Sequence, residues 1–213
     1  MTVWFATGNI HKKEELAGLL SCPELKIPSE AGLTFEPEET GNTFLENALI
    51  KAEALQRLCA RHLPDVWHPG QPVIADDSGI CVDALGGRPG IYSARYGDTE
   101  IDNQGVSRRL SFEEKNKLLL SEIRDNPQRS ARFVCAMVLY FSPNRFFIAQ
   151  ETVEGELVRE TPRGSGGFGY DPIFFIPELG CTAAELSEEE KNRISHRGKA
   201  GRAIAKILSE LHE

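Results

Sequence analysis

Short β-like runs and helically spaced apolar stretches alternate through the first half of this chain, whereas in the second half β-like runs follow one another directly. Alternation calls for strands joined by helices that pack on the sheet, and consecutive strands pair as hairpins. Both patterns in one chain predict an α/β fold built on a mixed sheet. Residues 3–7 form the first run and end in Gly8-Asn9, after which Leu16, Leu19 and Leu20 recur at helical spacing over residues 11–20. Thr43, three residues before Glu46, predicts a capping box for a second helix reaching about Cys59, with Leu45, Ala48, Leu49, Ala52 and Leu55 as its buried stripe. Residues 60–72, with three prolines and a glycine, read as a surface loop. Two further β-like runs, residues 73–75 and 80–82, flank Asp76-Asp77-Ser78-Gly79, which puts the acidic pair where a strand ends or bends. Residues 86–97 are rich in turn formers. Residues 102–124 regain helical spacing through Val106, Leu110, Leu118 and Leu119, with a break near Ser111. Residues 131–141 and 146–158, separated by Ser142-Pro143-Asn144, predict a hairpin and the sheet of a smaller lobe. Ser187 and Glu190 predict another capping box, and Ile204, Ile207, Leu208 and Leu211 the stripe of a last helix over residues 200–211.

With 213 residues, 40% of them hydrophobic, the chain can build one full core, or one core with a smaller lobe against it. The N-terminus lacks the basic start and apolar stretch of a signal peptide, and no window approaches the ~20 apolar residues of a membrane span. A soluble cytoplasmic protein without membrane contact is therefore expected. The five cysteines (Cys22, Cys59, Cys81, Cys135, Cys181) are scattered and form no CxxC, so reduced structural thiols are expected. A formal net charge of −8 argues against a nucleic-acid partner, which needs a basic surface. It leaves room for a small anionic ligand held by a few local cations and backbone amides.

Four places could carry chemistry. Thr7, Gly8, Asn9, Ile10, His11 and Lys12 join the first strand to the first helix, gathering backbone N–H groups, a positive helix end and a lysine where a phosphate could bind. An ordinary βα turn with Asn9 as helix cap is the plainer reading of this segment taken alone. The adjacent carboxylates of Asp76 and Asp77 repel unless a cation or hydrogen-bond donors stabilise them. A hard divalent ion is one reading and an Asx-type turn with Ser78-Gly79 the other. On a regular strand the two would face opposite sides, so one could bind metal while the other orients it or handles a proton. Residues 164–169 satisfy GxGxxG, but Pro162-Arg163 before and Asp171-Pro172 after remove the strand-to-helix context of a dinucleotide fold, and no GK[ST] is present. What survives is a loop in which Gly169 and its neighbours let backbone approach a ligand, with Phe168 and Tyr170 offering flat faces or packing in the core. Lys191, His196 and Arg197 bring donors together at the junction before the last helix, where solvated helix charges are the plainer reading. Cys59, His62 and His68 have no zinc spacing, and His212 at the tail is uninformative.

Taken in order, the segments at residues 7–12 (TGNIHK), 38–52 (EETGNTFLENALIKA), 76–80 (DDSGI), 85–97 (LGGRPGIYSARYG), 166–174 (GGFGYDPIF) and 183–200 (AAELSEEEKNRISHRGKA) resemble the inosine/xanthosine triphosphate pyrophosphatase family. The resemblance covers nearly the whole chain. It implies an elongated mixed sheet flanked by helices, two lobes with the nucleotide cleft between them, a homodimer, and Mg2+-dependent cleavage of a noncanonical purine nucleoside triphosphate. Carried over, residues 7–12 resemble the triphosphate-binding turn, Lys51 a further phosphate contact, and Glu39 with Asp77 the metal site, Asp77 being also the proton acceptor. Ser78, Phe168, Gly169, Tyr170, Asp171, Lys191, His196 and Arg197 correspond to substrate positions, mostly around the base. The chain departs from the family pattern at Ile80, in a long loop over residues 60–72, and at Gly201, which would interrupt the last helix. Two rivals are a sister enzyme for pyrimidine or modified nucleotides, which would replace ISHRGKA, and a non-catalytic nucleotide-binding module, which would damage the acidic motif.

Overall fold

A computed structural model of the chain describes residues 2–20, 24–98, 108–159 and 161–211. Five helices and seven strands follow one another as β1 (Thr2–Phe5), α1 (Ile10–Ala17), β2 (Glu24–Lys26), α2 (Phe44–His62), β3 (Val73–Val82), α3 (Phe112–Glu122), β4 (Ser130–Ser142), β5 (Arg145–Leu157), β6 (Phe174–Ile176), β7 (Cys181–Thr182), α4 (Glu188–Ile194) and α5 (His196–Glu210) among the described residues. The strands hydrogen-bond in the order β2-β1-β3-β4-β5-β6-β7. β1 runs parallel to both β2 and β3, while β6 is antiparallel to β5 and to β7. The expected mixed α/β sheet is present. No described helix is long and apolar enough to cross a membrane.

The chain divides into two compact units, one of Met1–Asp77, Cys135–Glu151 and Ser195–Glu213, the other of Ser78–Val134 and Thr152–Ile194. In the first, strand alternation sorts the apolar side chains onto two faces. Val3, Phe5, Ile74, Met137 and Leu139 pack with Leu16 of α1 and with Ile204 and Leu208 of α5. Trp4, Ala6, Val73, Ala75, Val138 and Tyr140 pack with Ala48, Ala52, Leu55 and Cys59 of α2. Covering both faces makes β1 and the start of β3 continuously apolar, as buried parallel strands require. Each fully buried leucine here, such as Leu16 or Leu55, contributes about 1.5–3 kcal/mol. In the second unit Ile80, Val82, Leu119, Phe133, Leu157, Tyr170 and Phe174 form the core.

Several expectations change in detail. The two runs around Asp76-Asp77 are a single strand, β3, so the acidic pair lies inside it and not at a turn. Gly79 is small for packing: a Cβ there would lie 2.4 Å from both the Gly90 carbonyl and Ser93 Oγ. Gly201 does not interrupt α5, because it is buried where a Cβ would come within 2.9 Å of Leu19 Cδ1 on the segment after α1. At α2, Thr43 Oγ1 accepts from Glu46 N–H at 3.1 Å, but the Glu46 carboxylate reaches back to Asn42 N–H at 2.6 Å and not to Thr43, so the box is displaced by one residue. The Ser187–Glu190 box forms in both directions. Residues 130–142 and 145–157 are the expected adjacent strands, joined across Pro143-Asn144, and they contribute to both units and not to a small lobe alone. Ser111 caps α3 through a full box with Glu114, which is the break expected there. The earlier part of that helical expectation, with Asp102 and Val106, lies outside the described residues, as do Cys22 and His212.

Candidate active site

β1 and β3 pair in register with Phe5 opposite Ile74, and Ala6 N–H donates to the Ile74 carbonyl at 2.8 Å. The chain leaving β1 therefore turns into α1 beside the acidic residues that follow on β3. The carboxyl end of a parallel strand, where a helix begins, is the place where α/β sheets bind ligands. Asn9 caps α1, its Oδ1 accepting from the N–H groups of His11 and Lys12 at 2.9 and 3.4 Å, while Asn9 N–H donates to Thr7 Oγ1 at 3.0 Å. The plain βα-turn reading of these residues is thus satisfied. Ile10 and His11 are exposed. A cavity of about 250 Å³ opens at this turn, lined by Ala6, Thr7, Gly8, Asn9 and Lys12, by Phe35, Glu36, Pro37 and Glu39, and by Lys51 and Asp76.

The strand alternation that sorts the core also sorts the two carboxylates. Asp76 is on the face of Ile74, toward α1 and α5, and both its oxygens accept from Lys12 Nζ at 3.0 and 2.9 Å. Arg197, at the start of α5, donates to Asp76 Oδ2 from Nε at 3.3 Å and to Glu15 from Nη1 at 2.6 Å. Burial alone would raise the Asp76 pKa, but the charges of Lys12, Arg197 and Lys51 hold it well below the usual carboxylate range. Lys12 has its own pKa lowered, first by burial and then by Arg197 and Lys51. Asp77 points the other way, toward α2, where Lys51 donates to Oδ1 and Asn47 Nδ2 donates to Oδ2, each at 3.1 Å. Lys51 Nζ is also 3.0 Å from Glu39, so one ammonium joins the two carboxylates. Burial raises the Asp77 pKa, and Glu39 adds to the effect against the opposing pull of Lys51. For Lys51 the balance reverses: burial works against its charge, but Asp77, Asp76 and Glu39 raise its pKa.

Glu39 and Asp77 converging on one cationic nitrogen make a hard, oxygen-only donor set. No group of three or more His, Cys, Asp or Glu is arranged for a metal among the described residues. Two carboxylates fit Mg2+, which takes one or two from a protein and fills its octahedron with water and substrate phosphate oxygens.

His196, buried at the start of α5, belongs with Arg197 to the first unit, and the second unit holds the remaining predicted positions. Ser78 continues β3 and is half-buried. Asp171 Oδ2 accepts from Phe168 N–H at 2.7 Å and from Lys191 Nζ at 2.8 Å, closing residues 168–171 into a tight loop. Gly167 and Gly169 both take φ +70°, open to glycine, and a Cβ at Gly167 would meet Asp171 Oδ2 at 2.2 Å. The half-buried Phe168 ring lies 4.6 Å from Lys191 Nζ, a cation–π contact. Tyr170 is core: it is 3% exposed, its hydroxyl donates to the Ser93 carbonyl at 2.8 Å, and Phe112 packs edge-on at 5.8 Å. Of the two aromatics offered by the sequence, Phe168 alone is half-buried, with the Lys191 ammonium over its ring, and Tyr170 packs in the core.

The sequence matches the Ham1 family over residues 3–207. The chain belongs to the Ham1 family. It is 48% identical over 208 residues to the dITP/XTP pyrophosphatase of Treponema denticola, covering 98% of each chain. It is also 45% identical over 212 residues to the dITP/XTP pyrophosphatase of Escherichia coli K12, covering 97% of each. The solved HAM1 protein of Coxiella burnetii superposes with a TM-score of 0.80 at 36% identity, covering 99% of both chains. The chain thus puts Lys12, Lys51, Glu39 and Asp76 around one turn, with Asp77 joined to it through Lys51 and Arg197 behind Asp76. Sequence reading passed over Asn47, Glu15, Phe35 and Pro37. Asn47 carried a usable signal: it is four residues before Lys51, on the same helical face.

Proposed function

We propose that the chain hydrolyses noncanonical purine nucleoside triphosphates such as ITP, dITP and XTP to the monophosphate and pyrophosphate, as a cytoplasmic homodimer that uses Mg2+. The observation that carries the reading is the Lys51 ammonium, which lines a cavity together with Glu39, Thr7, Gly8, Asn9 and Lys12 and joins Glu39 to Asp77. Cations and carboxylates in that alternation suit a polyphosphate with its counter-ion. Thr7 and the Gly8 and Ile10 N–H groups of the turn that Asn9 and His11 close, with Lys12 and Lys51, hold the phosphates for in-line attack by water. Glu39 and Asp77 would hold Mg2+, which when bound would neutralise charge on the phosphoryl oxygens. Asp77, whose raised pKa follows from burial, orients the attacking water and takes its proton. Asp76 stays ionised between Lys12 and Arg197 and fixes both cations in place.

Base recognition is assigned to Ser78, Phe168, Gly169, Asp171, Lys191, His196 and Arg197, with Tyr170 supporting the loop from the core. Phe168 stacks on any purine. Choice comes from the 6-substituent: inosine and xanthosine present a carbonyl acceptor, adenosine an amino donor. Donors such as the Arg197 guanidinium favour the former and would be left unpaired against the latter. The names of the relatives and the intact acidic motif support the reading over a non-catalytic module. The test is release of pyrophosphate from ITP, XTP, ATP and pyrimidine triphosphates with Mg2+. Pyrophosphate, not orthophosphate, is expected from ITP and XTP first. Undiminished turnover in excess chelator, or a pyrimidine preference, would sink it.

A further inference from the structure

We propose that Asn47 is the positioning residue of the site: one amide group fixes the carboxylate of Asp77 and ties down the segment that carries Glu39. The inference rests on the role given above to Asp77. Asn47 is fully buried in the first turn of α2, and both arms of its amide are in use. Nδ2 donates to Asp77 Oδ2 at 3.1 Å, and Oδ1 accepts from Gly41 N–H at 2.9 Å. These partners determine the amide orientation. Reversed, the oxygen would face a carboxylate and the NH2 would face an N–H, two repulsions at a fully buried amide.

Gly41 is two residues beyond Glu39 and is pressed onto this amide: a Cβ there would come within 2.7 Å of Asn47 Oδ1 and 2.7 Å of Glu46 Cβ. The segment from Phe35 to Glu39 that lines the cavity is therefore anchored at its far end through Asn47. Lys51, the other partner of Asp77, has a long flexible stem and a charge that incoming phosphate will draw on, so its contact with Asp77 changes as substrate binds. Asn47 is short, neutral and enclosed. It holds Asp77 Oδ2 in the same place throughout, leaving Oδ1 to exchange partners between ammonium, metal and water.

The experiment is a double-mutant cycle on the full-length protein. Asn47→Leu, Asp77→Asn and the double variant are assayed for ITP turnover at saturating Mg2+, with thermal melts and binding of Mn2+ alone by calorimetry. Asn47→Leu should lower kcat by roughly 10²-fold, the cost of an ångström-scale misplacement, while KM stays within about threefold because the turn at Thr7 is untouched. It should also weaken Mn2+ binding without nucleotide. In the Asp77→Asn background it should cost several-fold less than in the wild type, because the part of its effect that passes through Asp77 is already gone and only its tie to the Glu39 segment remains. Asn47→Asp keeps the acceptor for Gly41 N–H but sets a like charge against Asp77, and should lose kcat as Asn47→Leu does while still melting cooperatively, at a lower temperature. An inactive Asp77→Asn beside an Asn47→Leu of near-normal kcat would overturn the inference alone. So would an equal proportional loss in both backgrounds, or loss of the cooperative melt in both Asn47 variants, which would make Asn47 merely structural. Full activity in Asp77→Asn would overturn the role of Asp77 and this inference with it.

Discussion

Asp76 and Asp77 are neighbours on one strand, yet Asp76 Oδ2 is 2.9 Å from Lys12 Nζ on the α1 and α5 face while Asp77 Oδ1 is 3.1 Å from Lys51 Nζ on the α2 face. The period of two residues along a strand turns one acidic dipeptide into two chemically different groups. Asp76 is ion-paired and held ionised. Asp77 is burdened by burial and by Glu39, and so holds its proton more readily.

The first prediction separates them by activity. Asp77→Asn should cut kcat by roughly 10²-fold or more with the fold intact, since on the proposed reading it would remove a metal ligand and the proton acceptor together. Near-normal kcat at saturating magnesium would remove Asp77 from the chemistry. Lys12→Ala should instead move both KM and kcat, because it removes a phosphate contact and leaves Asp76 with Arg197 alone.

The second separates them by stability. A carboxylate with a depressed folded pKa contributes stability that is present above its unfolded value, about 3.9, and is lost as pH falls toward the folded value. Asp76 is such a group, so Asp76→Asn should cost about 3–5 kcal/mol at pH 7, where Lys12 and Arg197 lose their shared partner. The gap to the wild type should narrow progressively as pH is lowered below about 4. Denaturant melts at pH 7, 4 and 3 measure it, and a gap independent of pH would show that Asp76 is not ionised in the folded chain.

What was legible in the sequence, and what was not, divides along the same physical line. The turn from Thr7 to Lys12, the α2 stripe and the Ser187 box depend on residues near one another in the chain, so local spacing reveals them. The fate of Asp76-Asp77-Ser78-Gly79 depends on Gly90 and Ser93, which pack where a Gly79 side chain would go, and local pattern alone suggested a turn. Tyr170 and Arg197 show the same limit. Whether an aromatic faces a ligand or a backbone carbonyl, and whether a guanidinium meets solvent or two carboxylates, is decided by distant partners: Ser93 for the one, Glu15 and Asp76 for the other. Asn47 carried one local signal, its spacing to Lys51, but its partners are distant. A buried asparagine inside an amphipathic helix looks like an imperfection in the stripe until its two partners are seen.

The aromatics of the loop give the third prediction. Tyr170→Phe removes a buried hydroxyl and leaves the Ser93 carbonyl short of a donor, which should cost about 1–3 kcal/mol of stability with little change in kcat. Phe168→Ala should do the reverse, raising KM for every purine triphosphate by a similar factor while stability changes less, since the ring is half-buried and stacking is worth about 1–3 kcal/mol per base. If Tyr170→Phe altered the ratio of inosine to adenosine turnover, the tyrosine would touch the base after all.

Arg197 gives the last, because two jobs meet in one side chain. Its Nε and Nη1 hold Asp76 and Glu15, and it is also the cation that corresponds to a base-reading position. Arg197→Ala should therefore act in two ways. Asp76 would fall to Lys12 alone, drawing that ammonium away from phosphate and slowing all triphosphates by a common factor. Loss of the donor at the purine 6-carbonyl would slow inosine triphosphate further, for a total of roughly 10- to 1000-fold in kcat/KM, while the slow adenosine triphosphate reaction suffers only the common factor. The ratio of the two losses isolates base reading from support. Asp76→Asn supplies the control, since it disturbs Lys12 and Arg197 without removing the guanidinium and should slow both nucleotides by a similar factor. A ratio of one for Arg197→Ala as well would confine Arg197 to holding Asp76 and Glu15, and base choice would then rest on His196, Lys191 and the loop at Phe168.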